Sequence, residues 1–486
     1  MIDRIRELER LRRPLEPGPA ERAALQRPVL AYAEDFLERI DEIPAYVRDK
    51  GASGAVRLSP IGEHPTALDE LLRLLGTSVD TPGLNPASGG HLGYIPGGGI
   101  YTSALGDYLA DVTNRYAGVW FASPGAVEME NLLLDWMAEL VGYPAGSAGN
   151  LTSGGSVANL VAVVTARHAH GLRARDYDRA VVYLTAQAHH CVEKALRIAG
   201  MEEAPRRYLA TDERWRMRPD ALEAAVAEDR AAGRIPWMVV ASAGTTDVGA
   251  IDPLPAIGEV ARREGLWYHV DAAYGGFFAL VPEARPRLAG MELSDSIVLD
   301  PHKGLFLPYG SGAVLVKDRK VLARAHRYQA AYMQDTVAEE AMDVRSPAEL
   351  SPELTKHFRG LRLWLPLKLH GVAPFRACLE EKLLLTRWFH ERVGELGFER
   401  GPDPELSVST YRWVPGAGDA DAFNEAIVRR VHEDGRVFIS STRLDGRFTL
   451  RMAALAFRTR LETLELLLEV LEEAVAWRTP GSRHGS

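Results

Sequence analysis

Two charged residues stand directly after short apolar runs, where a buried charge is costly unless it has a chemical task. Lys303 follows the run SIVL (296–299) within Asp-Pro-His-Lys, and Asp271 follows WYHV (267–270). A lysine amine there can form a Schiff base with an aldehyde, which removes its charge. A carboxylate there can hold a protonated pyridine nitrogen, which turns the ring into an electron sink. Taken singly, Lys303 reads as a strand-end residue and Asp271 as a capping residue. Their order, about thirty residues apart, favours joint chemistry.

Three further loops carry groups that suit a flat, phosphorylated cofactor. LTSGGS (151–156) precedes a helical run, and a glycine-rich helix start binds anions through its backbone N–H groups. His189 and His190 follow AVVYL (180–184), where an imidazole can stack on a heteroaromatic ring. SAGTT (242–246) adds hydroxyl groups. Each loop alone is more often a plain turn or a core histidine, but the whole set predicts a site for pyridoxal 5′-phosphate (PLP).

The apolar runs before these loops predict the scaffold that positions them. Runs at 180–184, 237–241, 267–270, 296–299 and 313–316 alternate with helical stretches such as 126–140 and 157–169. This alternation is typical of an α/β fold with buried parallel strands. In such folds ligands bind beyond the carboxyl ends of the strands, which is where the polar loops stand.

The pattern divides the chain into three parts. Residues 1–90 read as an N-terminal helical segment broken by prolines and glycines, and we expect it to pack on another part of the chain or on a second subunit. Residues 91–370 carry the strand and helix alternation and form the predicted PLP-binding large domain. Residues 371–486 read as a small C-terminal α+β domain that ends in the amphipathic stretch 461–477.

Composition narrows the function class. The 486 residues carry a net charge of −9, which gives no support for a nucleic-acid or anionic-membrane surface. No segment reaches the roughly 18 apolar residues of a membrane span, and the first residues lack the apolar core of a secretory signal. With two cysteines only, a reduced cytoplasmic setting is the expectation. We assign no residue to a metal site.

The motifs resemble the fold-type I PLP enzymes, and within them the group II decarboxylases typified by aromatic-L-amino-acid decarboxylase. The resemblance runs through most of the chain, and HVDAAY (269–274) followed by PHK (301–303) is its most specific part. The other matching segments are GYIPGGG (93–99), ASPGAVEMENLLLDWM (122–137), TSGGSVANL (152–160), QAHHCVEKA (187–195), GTTDVGAID (244–252) and ELTKHFRGLRLWLPLKLHG (353–371).

The resemblance implies a role for each matching residue. Lys303 corresponds to the Schiff-base lysine, Asp271 to the partner of the pyridine nitrogen, and His189 to the stacking histidine, which leaves His190 without a catalytic role. These three are the predicted catalytic residues. The predicted cofactor-binding residues also include Gly155 and Ser156 for the phosphate, Thr246 near the ring hydroxyl, Ala273 below the ring, and His302 beside the lysine.

The resemblance also implies the reaction and the assembly. We expect a carboxy-lyase of amino-acid metabolism that converts an L-amino acid, by first choice an aromatic one, to its amine and CO₂. The reaction requires the bond to the carboxylate to lie perpendicular to the cofactor ring. We also expect a homodimer with shared active sites.

One departure from the family pattern keeps an alternative open. The family's catalytic loop usually carries a tyrosine that protonates the carbanion, but residues 334–357 contain no Tyr, Phe or Trp. Lys303, His189 or a water would then deliver the proton. The alternative is oxidative decarboxylation with deamination to an aldehyde, or another carbon–carbon lyase reaction. A non-catalytic scaffold is disfavoured, because it would not need Lys303, Asp271 and His189 together.

Overall fold

The computed structural model describes residues 1–327 and 345–478. Within these residues, none of the helices combines the length and the apolar character that crossing a bilayer requires. The loop at 334–357, which lacks Tyr, Phe and Trp, lies partly within residues 328–344 and to that extent outside the described residues.

The N-terminal segment consists of helices that contribute almost nothing to a core. The helices are α1 (Ile2–Leu11), α2 (Pro19–Glu38), α3 (Gly54–Arg57) and α4 (Leu68–Leu75), and a two-residue strand β1 (Tyr46–Val47) pairs with β2 (Gly83–Leu84). No residue of these four helices is buried. The segment is therefore an extended arm, as its broken helical pattern predicts.

A seven-stranded sheet forms the centre of the molecule. In spatial order its strands are β4 (Ala148–Thr152), β10 (Gly312–Val316), β9 (Ser296–Leu299), β8 (Trp267–Asp271), β7 (Ile235–Ser242), β5 (Ala180–Leu184) and β6 (Arg206–Tyr208). The prediction of a mostly parallel α/β sheet is confirmed. One strand differs: β10 runs antiparallel to both of its neighbours, so the run 313–316 is not a parallel strand.

The strands are apolar on both faces because helices cover both sides of the sheet. Along β5, Val181 and Tyr183 join the core on one face, while Val182 and Leu184 join the core on the other. The surrounding helices are α5 (Tyr101–Thr113), α6 (Pro124–Val141), α7 (Gly155–Ala169), α8 (Cys191–Ile198), α9 (Pro219–Ala231), α10 (Leu254–Glu264), α11 (Pro301–Gly304), α12 (Arg319–His326) and α13 (Gly360–His370). Burial on both faces explains the continuous apolar runs of the sequence.

The C-terminal part builds a second, smaller sheet. Its strands, in spatial order, are β11 (Glu399–Arg400), β12 (Val408–Arg412), β14 (Arg447–Ala453), β13 (Phe438–Leu444) and β3 (His91–Leu92). The helices are α14 (Ala373–Glu395), α15 (Ala420–Asp434) and α16 (Leu461–Arg478), the last at the predicted amphipathic stretch. The edge strand β3 directly follows the arm, so the end of the arm is anchored at this sheet.

Candidate active site

A cavity of about 340 Å³ lies beyond the carboxyl ends of β5, β7, β8 and β9. The sequence predicted eight residues for the site, and all of them line this cavity: Gly155, Ser156, His189, Thr246, Asp271, Ala273, His302 and Lys303. They come from separate loops, and the parallel strands bring the loops to one edge of the sheet. The size suits a small cofactor and substrate.

Lys303 lies in the short helix α11, directly after β9. Its Nζ atom is 3.1 Å from Oδ2 of the buried Asp300, which makes Asp300 its ion-pair partner. Burial alone would lower the pKa of Lys303, but the carboxylates of Asp300 and Asp271 outweigh burial and leave that pKa raised. The free amine is therefore held as an ammonium, and it must release a proton before it can bond to an aldehyde.

Asp271 ends β8 with its carboxylate toward the cavity. Its Oδ1 accepts a hydrogen bond from the Ala273 backbone N–H at 3.1 Å, and its Oδ2 faces the Asn159 amide nitrogen at 3.4 Å. The Ala273 contact is the one that a simple turn residue would make. A carboxylate offers about four acceptor sites, so this contact leaves capacity for a ring N–H as well.

The glycine-rich segment opens helix α7 at the cavity. Gly154 has a φ of +149°, which side chains rarely adopt. A Cβ atom at Gly155 would come 3.0 Å from Asp300 Oδ2 and 3.5 Å from the Ala273 methyl group. The first N–H groups of a helix lack intrahelical partners and attract anions, so this cradle suits a phosphate.

Two histidines border the cavity in defined tautomers. The Nδ1 atom of His189 accepts the Cys191 backbone N–H at 3.2 Å, and burial lowers the pKa of His189. The neutral ring therefore carries its proton on Nε2. The Nδ1 atom of His302 lies 2.5 Å from the Ser311 carbonyl oxygen and must donate to it, while burial also lowers the pKa of His302. The His190 ring lies beside that of His189 with centroids 4.1 Å apart and planes tilted by 37°, and His190 does not line the cavity.

Arg451, on strand β14 of the smaller sheet, holds one wall of the site. This guanidinium is buried and donates to the carbonyl oxygens of Thr246 at 2.6 Å and Tyr94 at 3.0 Å. Burial lowers the pKa of Arg451. The segment after Tyr94 crosses the Lys303 turn so closely that a Cβ at Gly97 would lie 2.0 Å from the His302 carbonyl oxygen. Only glycine fits there, which explains the GYIPGGG motif.

Sequence reasoning gave no role to several further residues that line the cavity, and four of them matter most for the site. They are Asn159, Gln187, Asp300 and Tyr309. Asp300 stands in the quoted DPHK motif after a buried strand, and Asn159 lies one helical turn after Gly155, so both carried a positional signal. Gln187 opens the quoted QAHHCVEKA motif and so carried a signal as well, whereas Tyr309 lies in a loop outside the quoted motifs.

Comparisons with known proteins agree with this geometry. Residues 88–400 match the family described as "Pyridoxal-dependent decarboxylase conserved domain". The aromatic-L-amino-acid decarboxylase of Bacillus atrophaeus is 31% identical over 84% of this chain and 86% of its own length. The phenylacetaldehyde synthase of Arabidopsis thaliana is 29% identical over 92% of this chain and 94% of its own. The crystal structure of Oryza sativa TDC with PLP and tryptamine superimposes with a TM-score of 0.89 at 27% identity, covering 95% of this chain and 99% of that one.

The residues present fit PLP. Two buried oxygens at the cavity, Asp300 Oδ1 and Gln187 Oε1, have no hydrogen-bond partner among the described residues. Such atoms call for a bound polar group or water. The cavity also offers an anion cradle, an imidazole and a lysine amine beside a carboxylate, which together match the phosphate, ring and aldehyde of the cofactor.

Proposed function

The chain belongs to the pyridoxal-dependent decarboxylase family and is a PLP-dependent amino-acid decarboxylase, and we propose that its substrate is an aromatic L-amino acid. The products are then the aromatic amine and CO₂. The observation that carries this proposal is a cavity containing Lys303, Asp271 and His189 together, in a chain that resembles an aromatic-L-amino-acid decarboxylase over most of its length. The tryptamine-containing relative from Oryza sativa supports the same substrate class.

The proposed roles follow from where each side chain lies. Bound PLP supplies an electron sink for the bond that breaks at the substrate's Cα atom. Lys303 would hold the cofactor through Nζ, and the Nζ amine would move a proton at the substrate's Cα atom, assisted by the adjacent Asp300 carboxylate. Asp271 keeps the ring nitrogen protonated. His189 stacks on the ring, and its Nε2–H is a second proton donor.

The remaining cavity residues position the cofactor. The N–H groups at Gly155 and Ser156 bind the phosphate, with His302 at the adjoining turn. Ala273 leaves room below the ring, since a larger side chain would enter the cavity there. Thr246 offers a hydroxyl whose loop is fixed by Arg451.

A substrate panel tests the proposal. Purified holoenzyme is incubated with L-tryptophan, L-tyrosine, L-phenylalanine and L-glutamate, and the CO₂ and amine formed are measured. Aromatic substrates should give the highest kcat/KM, with one amine per CO₂. A preference for L-glutamate would contradict the proposed substrate class while leaving the decarboxylase family unchanged.

A second outcome at the same site is favoured by one observation from the sequence and one relative. Residues 334–357 contain no aromatic side chain, and a phenylacetaldehyde synthase matches 92% of this chain. In that reaction the amino acid, O₂ and water yield the aldehyde, CO₂, ammonia and H₂O₂. An oxygen electrode run beside the amine assay separates the two outcomes, because only the oxidative reaction consumes O₂.

We also propose a homodimer with shared active sites. Apolar residues are exposed on both the arm and α5, including Leu8 at 47%, Leu30 at 57%, Tyr108 at 53% and Val112 at 66%. The arm lies beside α5, since Gln26 donates to the Tyr108 hydroxyl at 3.0 Å. Exposed apolar surface of this kind marks a protein interface. Because α5 begins where Ile100 donates to the Phe306 carbonyl near the lysine turn, a partner covering it would border the cavity.

We propose that the chain divides into three functional parts: an arm (1–90), a large domain (91–370) and a small domain (371–486). The arm would serve the partner, the large domain the cofactor, and the small domain the cavity wall held by Arg451. A cytoplasmic location is proposed on the two cysteines, neither of which forms a disulfide.

A further inference from the structure

A chain of buried hydrogen bonds runs from the interior of the protein through Asn159, at the edge of the cavity, to Asp271. The Trp267 indole N–H donates to Ser296 Oγ at 2.8 Å, and Ser296 Oγ lies 2.8 Å from His269 Nδ1. His269 Nε2 lies 2.9 Å from the Asn159 amide oxygen, and the Asn159 amide nitrogen faces Asp271 Oδ2 at 3.4 Å. The first four residues are buried, with exposures from 0% to 7%.

The positions of these residues along their strands and helix explain why they form this chain of hydrogen bonds. His269 and Asp271 are two positions apart on β8, so their side chains lie on the same face of the sheet. Ser296 starts β9 directly opposite His269. Asn159 lies one turn into α7, the helix that begins at the phosphate cradle. The chain therefore joins three elements of the site.

The direction of every hydrogen bond is fixed by chemistry. Asn159 also contacts the Gly155 carbonyl at 2.9 Å, and a carbonyl can only accept, so that side of the amide is the NH₂ group. Its second N–H faces Asp271 Oδ2 and, also at 3.4 Å, Cys191 Sγ, and the carboxylate is the stronger acceptor. The amide oxygen must then accept from His269 Nε2–H.

The other end of the chain agrees with this assignment. An indole N–H can only donate, so Ser296 Oγ accepts from Trp267 and is free to donate its own hydrogen to His269 Nδ1. Burial lowers the pKa of His269 to about 4, so the ring is neutral with its single proton on Nε2. Each of the four donors therefore points to the next residue in the chain, and the last one points to Asp271.

We propose that His269 and Asn159 are positioning residues that hold the Asp271 carboxylate in place and aimed at the cofactor, so that the proton between the carboxylate and the ring nitrogen stays on the nitrogen. Donors behind a carboxylate stabilise its charged form and weaken its hold on a proton. Aligned hydrogen bonds in a buried chain strengthen one another. This inference rests on the proposed role of Asp271.

The test reads the ring nitrogen itself. Holoenzyme is reconstituted with PLP labelled with ¹⁵N in the ring, and the ¹⁵N chemical shift reports whether that atom is protonated. His269→Leu should move the shift toward the unprotonated value and lower kcat by about tenfold with KM little changed. His269→Gln, which keeps an amide N–H where Nε2–H stood, should recover most of both. Ser296→Ala should move the shift in the same direction by less, and it serves if His269→Leu does not fold.

Two reference variants separate the possible failures. His390 is also buried and lies 2.9 Å from a serine hydroxyl, that of Ser409, but it belongs to the small domain. His390→Leu should leave the ring signal unchanged. If Asp271→Asn leaves the ring nitrogen protonated, the role of Asp271 is wrong. Asp271→Asn could remove the proton from the ring nitrogen while His269→Leu and Ser296→Ala both keep the wild-type shift. In that case the positioning role of His269 and Asn159 is overturned, and the proposed role of Asp271 is retained.

Discussion

The cofactor cavity and the N-terminal arm differ in where their partners lie. Around the cavity, side chains have partners within the same chain. Lys303 forms an ion pair with Asp300, Asp271 accepts a hydrogen bond from Ala273, and Arg451 donates to two carbonyl groups. In helices α1 and α2 of the arm no residue is buried, although α1 carries isoleucines and leucines and α2 carries leucines and a valine. The polar side chains of the cavity are thus held mainly by contacts within the chain, whereas many apolar side chains of the arm remain exposed among the described residues.

This contrast separates two kinds of claim. The chemistry of the site can be tested by changing one side chain at a time, because each has identified neighbours. The role of the arm can be tested only through assembly, because its proposed contacts lie on a second copy. The predictions below move from the cavity toward the arm, and their expected effects decrease along the way.

Lys303→Ala should have the largest effect. Without Nζ the chain can neither hold the cofactor covalently nor move a proton from that position, so kcat should fall by at least about a thousandfold. Lys317 is a suitable control, since it follows the end of β10, does not line the cavity, and has its Nζ 5.4 Å from the centre of the Tyr143 ring. Lys317→Ala should keep the visible absorbance of bound PLP. Turnover by Lys303→Ala within tenfold of the wild type would remove the lysine from the mechanism.

Asp271→Asn should retain cofactor but lose rate. An uncharged partner no longer favours a protonated ring, and losing a buried electrostatic contact of this kind costs about 10²- to 10³-fold in kcat. Asp229 offers a matched control, because its buried carboxylate accepts the Tyr183 hydroxyl at 2.9 Å far from the cavity. Asp229→Asn should lower stability but not kcat per bound cofactor. Near-normal kcat in Asp271→Asn would reduce this residue to a turn cap.

The two halves of the comparison also differ in how far the sequence could predict them. Strand ends, a helix start and short motifs placed all eight site residues, because parallel strands bring their carboxyl ends to one edge whatever the details of packing. Asp300 as the partner of Lys303 was missed, because the side chain of an Asp before a proline can turn in either direction until the glycine-rich loop packs against it. The antiparallel course of β10 was missed for a similar reason, since an apolar run carries no signal of strand direction.

For the arm, the sequence predicts only that the segment lacks a core of its own. Proline and glycine breaks indicate short helices without a shared core, and the structure agrees. They do not indicate that residues 91–92 join the small-domain sheet, because a two-residue strand has no periodicity to detect. The surface proposed to cover the exposed leucines belongs to a second copy of the chain, so it cannot be predicted from the pattern of one chain.

Leu30→Asp tests the arm. If the arm packs against a second subunit, a charge at this position costs at least the roughly 1.5–3 kcal/mol that burying a leucine contributes. The dissociation constant of the dimer should therefore rise by more than about tenfold. Sedimentation should show the wild type at twice the 53.4 kDa of one chain and the variant shifted toward one chain. Val414→Asp, at a similarly exposed position of the small domain, should leave assembly unchanged. A fully active monomeric wild type would end the proposal of shared sites.

His91 tests the junction between arm and body, with the smallest expected effect. It is buried beside Phe438, both ring nitrogens lack a partner among the described residues, and burial lowers its pKa from 6.5 to about 4. Between those values the unfolded chain binds a proton that the folded chain does not, so stability should fall as pH falls from 6.5 to 4. In His91→Phe this loss should shrink by about 2 kcal/mol at pH 5. Denaturation at pH 5 and 7 measures it, with the exposed His64→Gln as control.

The claim on which all of these rest is that the chain bonds its cofactor through Lys303. Borohydride reduces the bond between a lysine nitrogen and PLP to a stable link, so digestion and mass spectrometry of the reduced holoenzyme can locate the cofactor. We predict one modified peptide containing DPHK, with the mass of reduced PLP on Lys303 and none on Lys317, Lys356 or Lys382. A stoichiometric label on any other lysine, or on none while the protein remains active, would contradict the account.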